Sequence, residues 1–201
     1  MRVIGITGGV GAGKSAVLAY IKEKYNCRIL LADEAAHLVK EPGQPCYAKL
    51  VKLLTADILN EDGTINKLKM AEKIFASEAI LSEVNQIIHP AVKELILHTI
   101  EEERKSKIHD FFFVEAALLI EDGYLEIVDE MWYIYARKEI RRQRLKESRN
   151  YSDEKIDSIM KSQLGEAEFR KYCSVVIDNS DTLTDACRQV DEKLGEYLWQ
   201  K

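Results

Sequence analysis

Short apolar runs alternate with longer amphipathic stretches along most of the chain. Residues 2–7 form a continuous, largely β-branched run that a glycine pair ends, and residues 14–25 follow with the apolar spacing of an amphipathic helix. Four further apolar runs cover residues 29–32, 111–116, 131–135 and 174–177. Five short buried strands separated by helical patterns predict an α/β fold with a five-stranded parallel sheet that helices cover on both faces.

The long connection after the second run predicts a helical insert. Residues 34–108 show helical patterns but no convincing strand, and they are broken at Glu41-Pro42-Gly43, Asp62-Gly63 and His89-Pro90. A connection of this length far exceeds an ordinary crossover between strands, so it predicts an inserted helical subdomain. Within it, Pro90 predicts the start of a long helix over residues 90–106, because proline is favoured in the first turn of a helix.

A second helical excursion covers residues 137–170, which are polar and charged, and residues 182–200 predict a closing helix. We interpret the chain as one domain in which residues 1–33, 109–136 and 171–201 form the core. Both helical segments are then additions to this core rather than separate domains.

Residues 8–15 carry the clearest chemical signal, Gly-Gly-Val-Gly-Ala-Gly-Lys-Ser, which matches the phosphate-loop pattern G-x-x-x-x-G-K-[ST] in full. Glycines permit close approach of the backbone, so successive N–H groups can cradle phosphate oxygens at the positive end of the following helix. In this pattern Lys14 reaches the β- and γ-phosphates and the Ser15 hydroxyl coordinates Mg²⁺. A plain glycine turn between strand and helix is the alternative, and it leaves Lys14 and Ser15 without a role.

Asp33 stands where the second apolar run stops. The carboxyl ends of parallel strands meet at the edge of the sheet that also carries the phosphate loop, so this carboxylate is a candidate base for an acceptor hydroxyl. An N-cap for a helix over residues 34–40 explains Asp33 equally well. A GTPase would need the sequence N-K-x-D, and Asn66-Lys67 is followed instead by Leu68-Lys69.

The overall charge hides an uneven distribution. The chain has 34 acidic and 29 basic residues, a net charge of −5 that argues against a general nucleic-acid binder. Residues 137–149 hold seven basic and two acidic side chains, so this segment carries +5 and the remainder −10. Cations this dense repel one another unless an anion faces them, which favours a lid whose arginines close over nucleotide phosphates. A solvated helix face and an RNA-contacting arm are the alternatives.

The composition, 46% hydrophobic and 31% charged, excludes a disordered chain. The four cysteines, Cys27, Cys46, Cys173 and Cys187, form no C-x-x-C pair, which favours buried thiols in a reducing cytosol over a disulfide framework. The first residues lack a signal-peptide pattern, and no run approaches the roughly 18 apolar residues of a membrane span. We therefore expect a cytoplasmic protein with no membrane partner.

Taken together, these stretches resemble the dephospho-CoA kinase family from Ile4 to about Val190. The markers occur in the family's order: residues 4–15; Ala32-Asp33 with His37 and Glu41-Pro42-Gly43; Asp62 to Asn66; His89-Pro90; Leu118 to Glu121; Gln163; and Val176 to Asn179. Leu31 stands where the family commonly has aspartate, Ala117 where it has proline, and Arg149 lies about one position from the usual spacing.

The resemblance implies a P-loop NTPase-type three-layer sandwich with a helical substrate-binding insert and a helical lid. It also implies transfer of the γ-phosphoryl group of ATP to the ribose 3′-hydroxyl of dephospho-CoA, with ATP and Mg²⁺ as cofactors. Lys14, Asp33 and Arg144 are then catalytic, with Asp33 as the base and Arg144 as the charge stabiliser, and Ser15 binds the metal. The residues implied to bind ATP are Gly11, Ala12, Gly13, Lys14, Ser15, Ala16, Arg141 and Arg149. The residues implied to hold the acceptor are Thr7, Asp33, His37, His89, Leu118, Leu119 and Glu121.

Two other functions stay open on the sequence. Another small-molecule P-loop kinase, such as a nucleoside monophosphate kinase, shares the phosphate loop but not the long insert with its markers. A nucleotide-dependent RNA-binding module would use the basic segment, and the charge of −10 elsewhere argues against it. We expect a monomer whose partner is the small-molecule acceptor, without nucleic acid. For residues 115–121, simple packing at the end of a strand is as good an explanation as acceptor binding. For His89-Pro90, the start of a helix is likewise as good an explanation.

Overall fold

The computed structural model describes residues 1–199, and its strands form one sheet. The strands are β1 (Arg2–Thr7), β2 (Cys27–Leu31), β3 (Phe111–Glu115), β4 (Glu130–Tyr135) and β5 (Val175–Asp178). They lie in the order β2-β3-β1-β4-β5, with parallel pairing of β1 to β3 and β4, and of β4 to β5. The strands β1, β3 and β4 are buried along most of their length, as strands covered on both faces are. The predicted α/β fold with a five-stranded parallel sheet is confirmed.

The strand order makes the end of β1 a topological switch point, because the strands that follow are added first on one side of β1 and then on the other. The chain runs from β1 to β2 and β3 on one side, and then crosses to β4 and β5 on the other. In the register of the sheet, Ile6 lies opposite Glu115, the last residue of β3, and Thr7 lies opposite Tyr133. Ligands of open α/β sheets bind outside the carboxyl ends of the strands at such a switch point. The glycine-rich segment that follows Thr7 begins there.

The helices match the predicted amphipathic stretches in most places. They are α1 (Lys14–Lys24), α2 (Ala32–Leu38), α3 (Pro45–Leu54), α4 (Lys67–Phe75), α5 (Glu78–Ser106), α6 (Lys138–Arg149), α7 (Asp153–Lys161), α8 (Glu166–Tyr172) and α9 (Leu183–Trp199). The helix predicted over residues 14–25 is α1, and the closing helix predicted over 182–200 is α9, although residues 200 and 201 lie outside the described part of the chain. Among the described residues, no helix is both long enough and apolar enough to span a bilayer.

The chain divides into two compact units. The first comprises Met1–Ile29 together with the chain from Ser106 onward, and the second is Leu30–Lys105. In the first unit α1 and α9 pack together, and the Asp191 carboxylate of α9 accepts a 2.7 Å hydrogen bond from the hydroxyl of Tyr25. This contact ties the beginning of the chain to its closing helix.

The second unit consists mainly of helices. It contains α2 to α5, a short 3-10 helix at Ala56–Ile58, and an isolated antiparallel bridge between Leu59 and Ile65. Leu50 of α3 and Ile96 of α5 are fully buried. The predicted helical character of residues 34–108 is confirmed.

All four cysteines are free thiols. Cys46, Cys173 and Cys187 are buried, and Cys27 is half-buried. Burial raises the pKa of Cys27 to about 11 and that of Cys173 to about 12. Because the thiolate is the reactive form, these cysteines act as packing side chains, as the sequence predicted.

The predicted start of a helix at Pro90 is wrong. The helix α5 begins at Glu78, and Pro90 lies inside it. Val84 before the proline and Val92 after it are both buried. An apolar stripe that continues on both sides of Pro90 outweighs the hydrogen bond that proline cannot donate, so the helix does not stop there.

Replacing Pro90 by alanine should therefore stabilise the protein by about 1–3 kcal/mol, because alanine restores a backbone donor and removes the clash of the ring with the preceding turn. Urea unfolding followed by circular dichroism measures this change. Pro45 is the matched control, since it lies in the first turn of α3, where its missing N–H costs nothing. Pro45→Ala should not increase stability, and a Pro90→Ala protein no more stable than wild type would contradict the explanation.

Candidate functional site

The phosphate loop, residues 8–13, follows β1 and leads directly into α1. Gly11 and Gly13 have φ angles of 82° and 90°, which lie in the left-handed region that glycine enters without strain. A side chain at Gly13 would also collide with the side-chain amide of Asn179. The backbone path and the close packing around it therefore both require glycine here.

Lys14 and Ser15 begin α1, whose N-terminus has no side-chain cap. The first N–H groups of a helix lack partners within the helix, so they are suited to an anion. Lys14 Nζ donates a 2.8 Å hydrogen bond to the Gly8 carbonyl and lies 3.5 Å from Glu115 Oε1, at the end of β3. Ser15 and Ala16 are exposed on the first turn. The structure thus gathers the predicted phosphate-binding residues at one helix terminus.

The carbonyl oxygen of Ala12 has two donors. Asn179 directly follows β5 and is buried, and its Nδ2 donates a 2.8 Å hydrogen bond to this oxygen. Arg144 of α6 donates to the same oxygen at 3.4 Å. Asn179 Oδ1 is buried without a hydrogen-bond partner among residues 1–199. Asn179 therefore supports the loop through its amide donor, and Arg144, the predicted charge stabiliser, lies beside the loop.

Arg141 of α6 lies across the apex of the loop. Its Nε donates a 2.9 Å hydrogen bond to the Val10 carbonyl, and its guanidinium occupies the space that a side chain at Gly9 would need. Gln163 Oε1 accepts from Arg141 at 3.0 Å and from the Val10 N–H at 3.1 Å. Burial lowers the pKa of Arg141, although a guanidinium keeps its charge. Arg141, one of the two arginines predicted to bind ATP, thus contacts the phosphate loop directly.

Several other cations in residues 137–149 are paired with acids. The ion pairs join Arg137 to Asp181, Arg142 to Asp153 and Asp157, and Lys146 to Asp153. Arg149 is exposed at the end of α6, where its guanidinium lies 5.9 Å from the centre of the Tyr151 ring. Acidic side chains from outside the segment therefore neutralise part of its charge, while Arg141 and Arg144 face the loop.

In the second unit, Asp33 is exposed in the first turn of α2. The helix already begins at Ala32, and its N-cap is Leu31. The interpretation of Asp33 as an N-cap is therefore wrong. A carboxylate in the first turn still interacts favourably with the helix dipole, and this position leaves its oxygens accessible.

Asp33 belongs to a charged cluster with His37, Lys40 and Lys67. Partial burial, and then the positive charges of Lys40 and Lys67, lower the pKa of His37, while the charge of Asp33 opposes this change. Partial burial and the charge of Lys67 likewise lower the pKa of Lys40. Lys40 and Lys67 therefore create a positive potential around His37, and this potential favours an anionic ligand.

A cavity of about 610 Å³ lies in the second unit. Its polar lining includes His37, Lys40 and Lys67. Its apolar lining includes Ile65, Met70, Ile74, Phe75, Leu81, Val84 and Ile88. A cavity of this size and character suits a small molecule with both an anionic and an apolar part.

Lys40 and Lys67 are residues of the cavity that sequence reasoning missed. Lys40 follows the candidate His37 by three residues, and Lys67 directly follows the marker that ends at Asn66. That proximity was the available signal. This signal was weak because lysines are frequent on solvated surfaces. Only the folded structure shows that these two lysines border one cavity.

The remaining predicted acceptor residues lie in contrasting environments. Thr7 is fully buried at the end of β1, and its hydroxyl lies 3.5 Å from a backbone carbonyl. Leu119 is also fully buried, whereas Leu118 and Glu121 are exposed. His89 is exposed within α5. The side chains of Thr7 and Leu119 therefore belong to the packing of the first unit in this structure.

Comparison with known proteins gives a consistent result. The family model described as dephospho-CoA kinase matches residues 2–185. The chain is 35% identical over 185 residues to a dephospho-CoA kinase of Dehalococcoides mccartyi, covering 92% of each chain. It is 32% identical to one of Streptococcus mutans, covering 96% of each. The solved dephospho-CoA kinase from Campylobacter jejuni shares the fold, with a TM-score of 0.75, 21% identity and 98% of each chain covered.

Replacing Gly13 by alanine should weaken ATP binding at least about tenfold, since the new Cβ atom is strained at this φ and collides with Asn179. Titration calorimetry with ATP measures the affinity. Gly195 is the matched control: it lies in α9, and an added Cβ meets nothing within 4 Å. Gly195→Ala should bind ATP normally. Equal affinities of the two variants would contradict the role of Gly13.

Proposed function

The chain belongs to the dephospho-CoA kinase family and is an ATP-dependent kinase that converts dephospho-CoA to coenzyme A, and on that premise we propose which of its residues perform the reaction. The γ-phosphoryl group of ATP is transferred to the ribose 3′-hydroxyl of dephospho-CoA. The phosphate loop binds ATP, and the helical insert binds the acceptor. One observation carries this assignment: the glycine loop leads into the uncapped N-terminus of α1, and the Lys14 side chain at that terminus bonds back to the loop at Gly8.

The ATP side of the reaction rests on the loop and on α6. Backbone N–H groups from Gly11 to Ala16 hold the β- and γ-phosphates, and Lys14 adds a point charge. Arg144 lies beside the loop and stabilises the charge that develops on the transferred phosphoryl group. Arg141 contributes a second positive charge at the apex, and we assign Arg149 to the nucleotide on the resemblance alone.

Mg²⁺ fits the donor chemistry at the start of α1. The Ser15 hydroxyl and the Glu115 carboxylate are hard oxygen donors, and Mg²⁺ in kinase sites takes few protein ligands besides the nucleotide phosphates and water. When bound, Mg²⁺ neutralises negative charge on the phosphate oxygens. We assign Ser15 as its ligand.

The acceptor side rests on the charged cluster of the insert. The 3′-hydroxyl oxygen bonds to the γ-phosphorus, the bond from that phosphorus to the bridging oxygen of ADP breaks, and the hydroxyl proton passes to Asp33. Lys40 and Lys67 bind the diphosphate of dephospho-CoA, because they are cations that border the cavity, and His37 adds a hydrogen-bond donor there. The apolar walls of the cavity then accept an uncharged part of the same molecule.

An acceptor panel tests the proposed reaction. Purified protein with MgATP should release ADP in a coupled assay when dephospho-CoA is supplied. Turnover with nucleoside monophosphates but not with dephospho-CoA would establish the alternative small-molecule kinase instead. The RNA-binding alternative is disfavoured because Arg137, Arg142 and Lys146 are already paired with acidic side chains.

Asp33→Asn should lower kcat by at least about 100-fold, because the amide cannot accept the hydroxyl proton, while the affinity for ATP stays nearly unchanged. Steady-state kinetics and ATP titration measure the two quantities. Glu34 is the matched control, an exposed carboxylate in the same first turn. Glu34→Gln should keep wild-type turnover, and near-normal turnover of Asp33→Asn would remove Asp33 from the mechanism.

Lys67→Gln should raise the KM for dephospho-CoA about tenfold and leave the KM for ATP unchanged, because a charge-assisted hydrogen bond to phosphate is lost. Lys49→Gln is the control, since Lys49 is exposed on α3 and does not line the cavity. Initial rates with each substrate varied in turn measure both constants. An equal rise of both KM values would argue against a specific contact with the acceptor.

A further inference from the structure

We propose that Gln163 is a positioning residue that, together with Arg141, holds the apex of the phosphate loop in its ATP-binding conformation. Gln163 lies between α7 and α8, far along the chain from the loop it contacts. The inference rests on the assignment of the phosphate loop to ATP. It assigns Gln163 a role through the loop, without contact to the reacting atoms.

Val10 is the point at which this support acts. Its N–H donates to Gln163 Oε1 at 3.1 Å, and its carbonyl accepts from Arg141 Nε at 2.9 Å. The same Oε1 atom accepts a third hydrogen bond, from the Arg141 guanidinium at 3.0 Å. The three hydrogen bonds close a ring through Val10, Gln163 and Arg141, which we call the apex brace. Both backbone polar groups of Val10 are thereby fixed.

The loop needs such a brace because its own backbone is weakly constrained. Gly8 and Gly11, which flank the apex, have φ angles of 147° and 82°, and glycine loses more conformational freedom on ordering than any other residue. Both ends of the loop are already held, since the Gly8 carbonyl accepts from Lys14 and the Ala12 carbonyl accepts from Asn179. Fixing the apex before ATP arrives lowers the entropy cost of binding.

The brace also explains the orientation of Arg141. Two of its nitrogen atoms are occupied by Val10 and Gln163, and Gly9 leaves room for the guanidinium. Gln163 therefore sets the position of a positive charge at the loop as well as the backbone itself. Loss of Gln163 should affect ATP binding and leave acceptor binding unchanged.

Gln163→Leu and Gln163→Glu form the test pair. Leucine has a similar volume but accepts no hydrogen bond, whereas a carboxylate can accept from both Val10 and Arg141. Gln163→Leu should weaken ATP binding about tenfold by calorimetry in the absence of acceptor, and raise the KM for ATP with little change in the KM for dephospho-CoA. Gln163→Glu should recover the affinity to within about threefold of wild type. Gln143→Leu is the control, because Gln143 is exposed on α6 and its side chain donates to Glu147 on the same helix, away from the loop.

Arg141→Met provides a second, independent measurement. It breaks the brace from the other side, so the Arg141→Met, Gln163→Leu double variant should lose less ATP affinity than the product of the two single losses. ATP affinity of Gln163→Leu within twofold of wild type would overturn the proposal. So would a Gln163→Glu variant as impaired as Gln163→Leu, or fully independent losses in the double variant. Failure of the wild-type protein to phosphorylate dephospho-CoA would instead count against the proposed reaction, because ATP binding is measured separately.

Discussion

The phosphate loop depends on hydrogen bonds to carbonyl groups on its outer side. A loop that turns successive N–H groups toward an anion must turn carbonyl oxygens away from it, and a buried carbonyl without a donor is costly. In this chain Gly8 O accepts from Lys14, Val10 O from Arg141, and Ala12 O from Asn179. Each donor comes from a different part of the chain. The loop therefore adopts its phosphate-binding conformation only when the first unit is folded around it.

This constraint also explains how the basic segment is used. Seven cations in thirteen residues predicted an anion-binding surface. In the structure, however, Arg142 and Lys146 pair with Asp153, and Arg137 pairs with Asp181. Two of the remaining arginines donate to carbonyls of the loop. The segment is therefore partly a solvated helix face whose charge is neutralised by acids from later in the chain, and partly a scaffold for the loop. Whether it also moves as a lid stays a prediction.

The sequence predicted most accurately what depends on local pattern. The first strand falls on residues 2–7 because a β-branched run is stopped by glycines, and the phosphate loop is read from residue type and spacing alone. Pro90 misled because a local breaker was weighed without the buried stripe on both sides of it. The role of Gln163 could not be derived from spacing, because it arises from a contact across 153 positions of the chain.

The charged cluster of the insert likewise depends on residues that are distant in the sequence, and its arrangement has a chemical consequence. Lys40 and Lys67 are unremarkable as single residues, but in the folded unit both border one cavity and both lower the pKa of His37. Like charges held together destabilise the free protein slightly, and an anionic ligand relieves that repulsion when it binds. Asp33 is the opposing charge in this cluster. A diphosphate that satisfies the cations would leave the Asp33 carboxylate to accept a proton, so the substrate itself completes the separation of binding groups from the base.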